Sequence, residues 1–108
     1  MAVPAEILKL VEVWCQQQTE PHLRDRACLE ADVSGNKVTI LECTRMPGST
    51  DWLRVPSAQL RYDERTRVWS LYWHASDDRW HIVQVAPTLD VSELLAEIEA
   101  DPDCLFFG

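Results

Sequence analysis

The sequence predicts an α+β fold: an N-terminal helix, a five-stranded antiparallel meander sheet, and a C-terminal helix, with both helices on the Trp-bearing face. Three observations carry this. Helical apolar spacing occurs only at the two ends of the chain. Between them, short alternating apolar runs are separated by turn-forming residues. Two of those turns, read independently, place the same tryptophans on one face.

The first helix follows Pro4, in AEILKLVEVWCQQQTE. Ile7, Val11, Trp14 and Cys15 recur at helical spacing, with Leu8 and Leu10 widening the stripe. Pro4 suits a first-turn position and Pro21 stops the helix. In RACLEADVSGNKVTILECTR, Ala27, Leu29, Ala31 and Val33 alternate, as do Val38 and Ile40. Gly35-Asn36 reads as a II′-type hairpin turn. It pairs Val33 with Val38, Ala31 with Ile40 and Leu29 with Glu42. It also sets Cys28 opposite Cys43, on the face of Glu30 and Asp32.

Pro47-Gly48 fits the centre of a type II turn. The next strand, WLRVPSAQLRY, contains Pro56, which cannot donate to a ladder. A bulge there puts odd-numbered Leu53 and Val55 on the same face as even-numbered Ala58, Leu60 and Tyr62.

Two further loops, Asp63–Thr66 and Ala75–Asp78, define the last hairpins. They pair Leu60 with Trp69, Ala58 with Leu71, Trp73 with Trp80, Leu71 with Ile82 and Tyr72 with His81. Ala58, Leu60, Trp69, Leu71, Trp73, Trp80 and Ile82 then form one core face. Each Trp can bury about 200 Å², worth up to roughly 5 kcal/mol before entropy. Ser70, Tyr72, His74, Arg79, His81 and Val83 take the opposite face. In PTLDVSELLAEIEADPD, Asp90 and Glu93 resemble a capping box. Val91, Leu94, Leu95 and Ile98 make the buried stripe, and Pro102 ends the helix. The apolar tail CLFFG is expected to dock on the fold.

The chain's 108 residues fit one domain and can bury a core without metal or disulfide staples. Its 18 acidic against 10 basic residues give a formal charge of −8, a field that repels phosphate backbones and disfavours nucleic acid. No apolar run reaches the length of a membrane span, and Glu6, Lys9 and Glu12 interrupt the N-terminal one. A cytoplasmic location follows as an expectation. Cys15, Cys28, Cys43 and Cys104 show no zinc-finger spacing and read as reduced thiols.

Several phrases occur together in order: LRYD (Leu60 to Asp63), Trp69, LYW (Leu71 to Trp73), RWH (Arg79 to His81), LLAEI (Leu94 to Ile98), Asp101-Pro102 and a terminal aromatic before Gly108. With Glu42 and Pro47, this set resembles a bacterial family defined only as a domain of unknown function, family 3024, over nearly the whole chain. Two positions depart from the family pattern. His74-Ala75 stands where the family usually has Arg-Asp, and Ile82-Val83 where a Tyr is usual. The resemblance implies no reaction, cofactor or partner.

Four constellations are candidates for function. On the polar face, Tyr72 opposite His81 would make a general acid/base pair, and Arg79 beside His74 would hold an anion. The alternative is a solvated sheet face. Glu42 falls on the apolar side of its hairpin, where a carboxylate is costly unless paired. The alternative is a rim position reaching water or Arg54. Cys28 and Cys43, with His22 or His74, would make a metal site. Their scattered spacing argues against it, so no metal and no cofactor are expected. Glu30, Asp32, Glu42 and Asp51 would make a nuclease-like Mg²⁺ cluster. No Lys follows Glu42 at the expected spacing, however, and the charge opposes DNA. No phosphate loop, nucleophile elbow or HExxH is present.

Two function classes therefore stand. The first is a non-catalytic binding domain with a protein partner, for which the acidic face of the second helix (Glu93, Glu97, Glu99, Asp101, Asp103) is one candidate surface. The second is a small hydrolase or metal-dependent nuclease-like enzyme using Glu42 or His81. A homodimer through an edge strand is compatible with either.

Overall fold

A computed structural model describes residues 3–19, 21–23, 25–83, 85–101 and 106. It has helix α1 (Ala5–Gln17), a 3-10 turn (Pro21–Leu23), strands β1 (Ala27–Ser34), β2 (Lys37–Arg45), β3 (Trp52–Asp63), β4 (Val68–His74) and β5 (Trp80–Ile82), and helix α2 (Val91–Ala100). The strands form one antiparallel sheet in the order β1-β2-β3-β4-β5. This is the predicted α+β meander.

Both helices lay their apolar stripes on one face of the sheet. Val11, Trp14 and Cys15 of α1 and Val91, Leu94, Leu95 and Ile98 of α2 join Val38, Ile40, Ala58, Leu60, Trp69 and Leu71 in one buried cluster. Leu10, expected in the α1 stripe, is 39% exposed. Pro4 is the N-cap of α1, its carbonyl accepting from Ile7 and Leu8. At α2, Asp90 accepts from the Ser92 amide at 2.9 Å, but the expected capping box is only half built. The Asp90 amide donates instead to Thr88 Oγ1 at 3.0 Å. Asp101 closes α2 in the left-handed region at φ 42, and its Oδ1 accepts from the Phe106 amide. Phe106, the described residue of the apolar tail, is buried in the core cluster. Pro102, Asp103, Cys104, Leu105, Phe107 and Gly108 lie outside the described residues.

The first hairpin has the predicted register, with Val33 facing Val38, Ala31 facing Ile40 and Cys28 facing Cys43. Gly35 sits at φ 59 as the first turn residue, a conformation natural to Gly and costly for an L side chain. Asn36 pins the turn to β3: its Nδ2 donates to the Tyr62 carbonyl, and its own carbonyl accepts from the Tyr62 amide. Pro47-Gly48 forms the expected turn, with Gly48 at φ 73 and the Ser49 amide donating to the Met46 carbonyl. The bulge predicted at Pro56 is present. Ile40 faces Ala58 while Leu41 faces Pro56, leaving Ser57 as the extra residue.

The last two hairpins correct the expected registers. Between β3 and β4 the pairs are Leu60 with Leu71, Tyr62 with Trp69 and Ala58 with Trp73. The loop begins one residue later than expected because Asp63 Oδ1 accepts from the Arg65 amide, and Arg67 takes a left-handed conformation. The slide keeps Trp69, Leu71 and Trp73 on the core face.

Between β4 and β5 the pairs are Tyr72 with Ile82, Trp73 with His81 and His74 with Trp80. Here the one-residue difference flips faces. The Asp78 amide closes a turn onto the Ala75 carbonyl, and Asp78 itself is left-handed at φ 63. A turn followed by a left-handed residue adds one residue to a hairpin loop. Trp80 and Ile82 therefore leave the core face, Ile82 being 49% exposed, and His81 takes the side of Trp73. Beyond β5 the chain stays on the β4 edge, where Trp69 and Thr88 exchange both backbone hydrogen bonds.

Candidate functional site

The outer face of the sheet carries a polar row across three strands. Thr39 Oγ1 of β2 accepts from Gln59 Nε2 of β3 at 3.0 Å, and Gln59 Oε1 accepts from Arg61 Nε at 2.7 Å. The Arg61 guanidinium lies 3.8 Å above the Tyr72 ring of β4, a cation–π contact. Arg61, Arg65, Ser70, Tyr72 and Asn36 line an open pocket of about 790 Å³. Polar residues alternating along AQLRY were the sequence signal for this row, but the Gln59 and Arg61 partners lie on strands whose register had first to be known.

The expected Tyr72–His81 pair does not exist, because the five-residue β4–β5 loop puts them on opposite faces. Each histidine of this region meets an aspartate of the loop instead. His74 Nε2 lies 2.9 Å from Asp78 Oδ1, and His81 Nε2 lies 3.0 Å from Asp77 Oδ2. The rings also pack, His81 on Trp73 at 5.3 Å and His74 edge-on to Trp80 at 5.0 Å. Asp77 also accepts from the Arg79 amide. Desolvation pushes the Asp77 carboxyl up, but the hydrogen bonds from His81 and the Arg79 amide outweigh it and hold the group below its ordinary value. The anion that meets His74 is thus Asp78, and Arg79 is exposed in the loop. Both His–Asp pairs staple the loop.

Glu42 is exposed, but it lies within β2 between Leu29 of β1 and Val55 of β3. Arg54, its suggested partner, lies on the other face and bonds Glu30 at 3.0 Å. Glu42 lines a shallow pocket of about 390 Å³ with Ser57, His74, Asp78 and Phe106. Tyr72 belongs to the other pocket, and His81 lines neither. The expected carboxylate cluster does not assemble. Glu30 and Asp32 occupy the outer face of β1, Glu42 the opposite face of β2, and Asp51 a loop. Neither His22 nor His74 joins the cysteines. Among the described residues, the group with metal-ligand spacing is Cys28, Glu30 and Cys43. The Cys43 thiol is pushed up to about 12, first by burial and then by the negative field of Glu30 and Cys28. A thiol so held is protonated at neutral pH and no nucleophile.

One apolar feature was not anticipated. Leu10, Val13 and Trp14 of α1 and Ser92 and Leu95 of α2 line an open groove of about 500 Å³ between the helices. Leu10 and Val13 are 39% and 42% exposed. The Trp14 Nε1–H is buried without a hydrogen-bond partner. The signal was present in the sequence as an α1 apolar stripe wider than one face needs. No helix among the described residues is long and apolar enough to cross a membrane.

No curated protein and no solved structure matches the chain. A family model does match residues 2–108, essentially the whole length. The ordered phrases from LRYD to the C-terminal aromatic, carried on this helix–meander–helix frame, place the chain in the family described as Domain of unknown function (DUF3024).

Proposed function

We propose that the chain is a single cytoplasmic binding domain whose α1–α2 groove takes an apolar-faced helical segment of a protein partner. The groove, in which exposed Leu10 and Val13 flank buried Trp14 and Leu95, carries this reading. Grooves between helices commonly receive amphipathic helices through side chains at helical spacing. The net charge of −8 favours a partner with basic flanks. The separation of Tyr72, His81 and Glu42 weakens the enzyme reading, because acid/base work needs its groups within hydrogen-bond reach. The test is a pull-down from native lysate with wild-type protein and Val13→Glu, followed by mass spectrometry. A partner captured by the wild type and lost by the variant is the expected result. No partner above background, or the same set with both proteins, sinks the reading.

A small hydrolase is the second reading. It draws on Glu42, Ser57, His74 and Asp78 lining one pocket. Glu42→Gln and His74→Ala should then change a cellular phenotype while the protein stays folded. Two variants that behave as wild type end that reading, and the same outcome for His81→Ala removes His81 from it.

A further inference from the structure

We propose that Cys28, Glu30 and Cys43 form a binding site for a zinc-like divalent ion on the outer face of the sheet, built by the β1–β2 register and gated by Arg54. The one Cys Sγ of β1, the one Cys Sγ of β2 and a Glu30 carboxylate oxygen lie within 4.8 Å of one another. Cys28 and Cys43 are direct cross-strand partners, and Glu30 is two residues along the same face. Tetrahedral zinc holds sulfur at about 2.3 Å and carboxylate oxygen at about 2.0–2.2 Å, so its ligand atoms stand roughly 3.5–4 Å apart. Side-chain rotation is enough to close the difference. Two sulfurs select a borderline-soft ion over Mg²⁺ or Ca²⁺, which want oxygen ligands. Three protein ligands leave one coordination position for water or another donor. On coordination each thiol releases its proton to solvent, and the metal–sulfur bonds replace the S–H bonds.

Arg54 covers the site. It sits on β3 and Glu30 on β1, so their 3.0 Å ion pair has to cross β2. Arg54 faces Cys43 in the register, and the pair passes over it. Cys43 is fully covered there although it is not part of the main core cluster. The pair itself is about half exposed, 53% for Arg54 and 44% for Glu30. Exposed pairs hold weakly, so the cover opens readily. Arg54 uses Glu30 Oε2, which leaves the other oxygen for the ion.

The reduced 108-residue protein is titrated with Co²⁺ as a spectroscopic stand-in for Zn²⁺. One ion per chain should give a thiolate-to-cobalt charge-transfer band in the near ultraviolet and the intense visible bands of tetrahedral cobalt. Zn²⁺ should bleach both. Cys28→Ser and Cys43→Ser should abolish the charge-transfer signal. Glu30→Gln should weaken binding by about tenfold or more. Arg54→Ala should strengthen it, by freeing Glu30 and removing a nearby cation. Cys104→Ser should change nothing. Circular dichroism checks that each variant folds. Cys28→Ser alters a partly buried position and Arg54→Ala an exposed one, so they carry the test should Cys43→Ser unfold. Three outcomes overturn the proposal: no charge-transfer band in the wild type, a band that survives Cys28→Ser, or binding weakened by Arg54→Ala. A Cys28–Cys43 disulfide that persists under mild reductant overturns it as well.

Discussion

The two hairpins that share β4 differ by one residue in their loops, and that residue decides what each face of the sheet carries. Four residues separate Asp63 from Val68 on one side of β4, and five separate His74 from Trp80 on the other. Side chains alternate with a period of two along a strand, so an even slide of register leaves every side chain on its face. An odd slide exchanges all of them. The β3–β4 hairpin therefore keeps Trp69 and Leu71 in the core, whereas the β4–β5 hairpin sends Trp80 outward and brings His81 beside Trp73. Both loops contain a left-handed non-glycine residue, Arg67 and Asp78. The difference lies in where each loop closes.

The largest expected effect contrasts two tryptophans across this divide. Trp69 is 2% exposed and packs its ring 4.9 Å from Tyr62, so Trp69→Ala should cost roughly 3–5 kcal/mol. Trp80 touches His74 from the outer face, and Trp80→Ala should cost only about 1 kcal/mol. Urea unfolding of both variants measures the gap. Equal losses would mean that β5 has the opposite register.

A smaller effect separates the loops themselves. Arg67→Gly should stabilise the protein by about 0.5–1 kcal/mol, since a left-handed Arg is strained and Gly is not, less the greater freedom Gly has when unfolded. Asp78→Gly should be nearly neutral. Aspartate tolerates the left-handed region better than Arg, and the substitution also removes the His74 contact. Thermal melts of the two variants test this, and a stabilising Asp78→Gly would show that the His74–Asp78 pair contributes nothing.

The smallest effect is in acid. The Asp77 carboxyl is held below its ordinary value in the folded protein. Its contribution is therefore present above the unfolded value, about 3.9, and is lost as pH falls through the lower folded value. Hydrogen exchange at the β5 amides should accelerate over that range in the wild type. In Asp77→Asn the same amides should exchange faster already at neutral pH and show less added loss in acid. Identical profiles would remove His81–Asp77 as a staple of the second hairpin.

Legibility followed the range of the interactions. The Gly35-Asn36 turn, the Pro47-Gly48 turn and the Pro56 bulge were readable because glycine admits the left-handed backbone and proline fixes φ and removes a donor. From the first turn the Cys28–Cys43 pairing followed directly. The candidate site was less accessible. Tyr72, His74, Arg79 and His81 form a contiguous cluster in the chain, but alternation disperses them, and the aspartates of the same loop engage both histidines. The contacts that do organise the outer face, Gln59 to Thr39, Arg61 to Tyr72 and Arg54 to Glu30, join residues on different strands.

The sequence by itself determined the helices, the meander order, the first hairpin and the core of Trp69, Leu71 and Trp73, because apolar periodicity and turn chemistry act over a few residues. Tertiary structure alone decided the faces of Trp80 and His81, the reach of Arg54 across β2, and the groove left between Val13 and Leu95. Each of these depends on a loop closing one residue earlier or later, or on how two helices sit side by side. Local propensities constrain such choices only weakly, since the energies that separate neighbouring registers arise in the packed sheet.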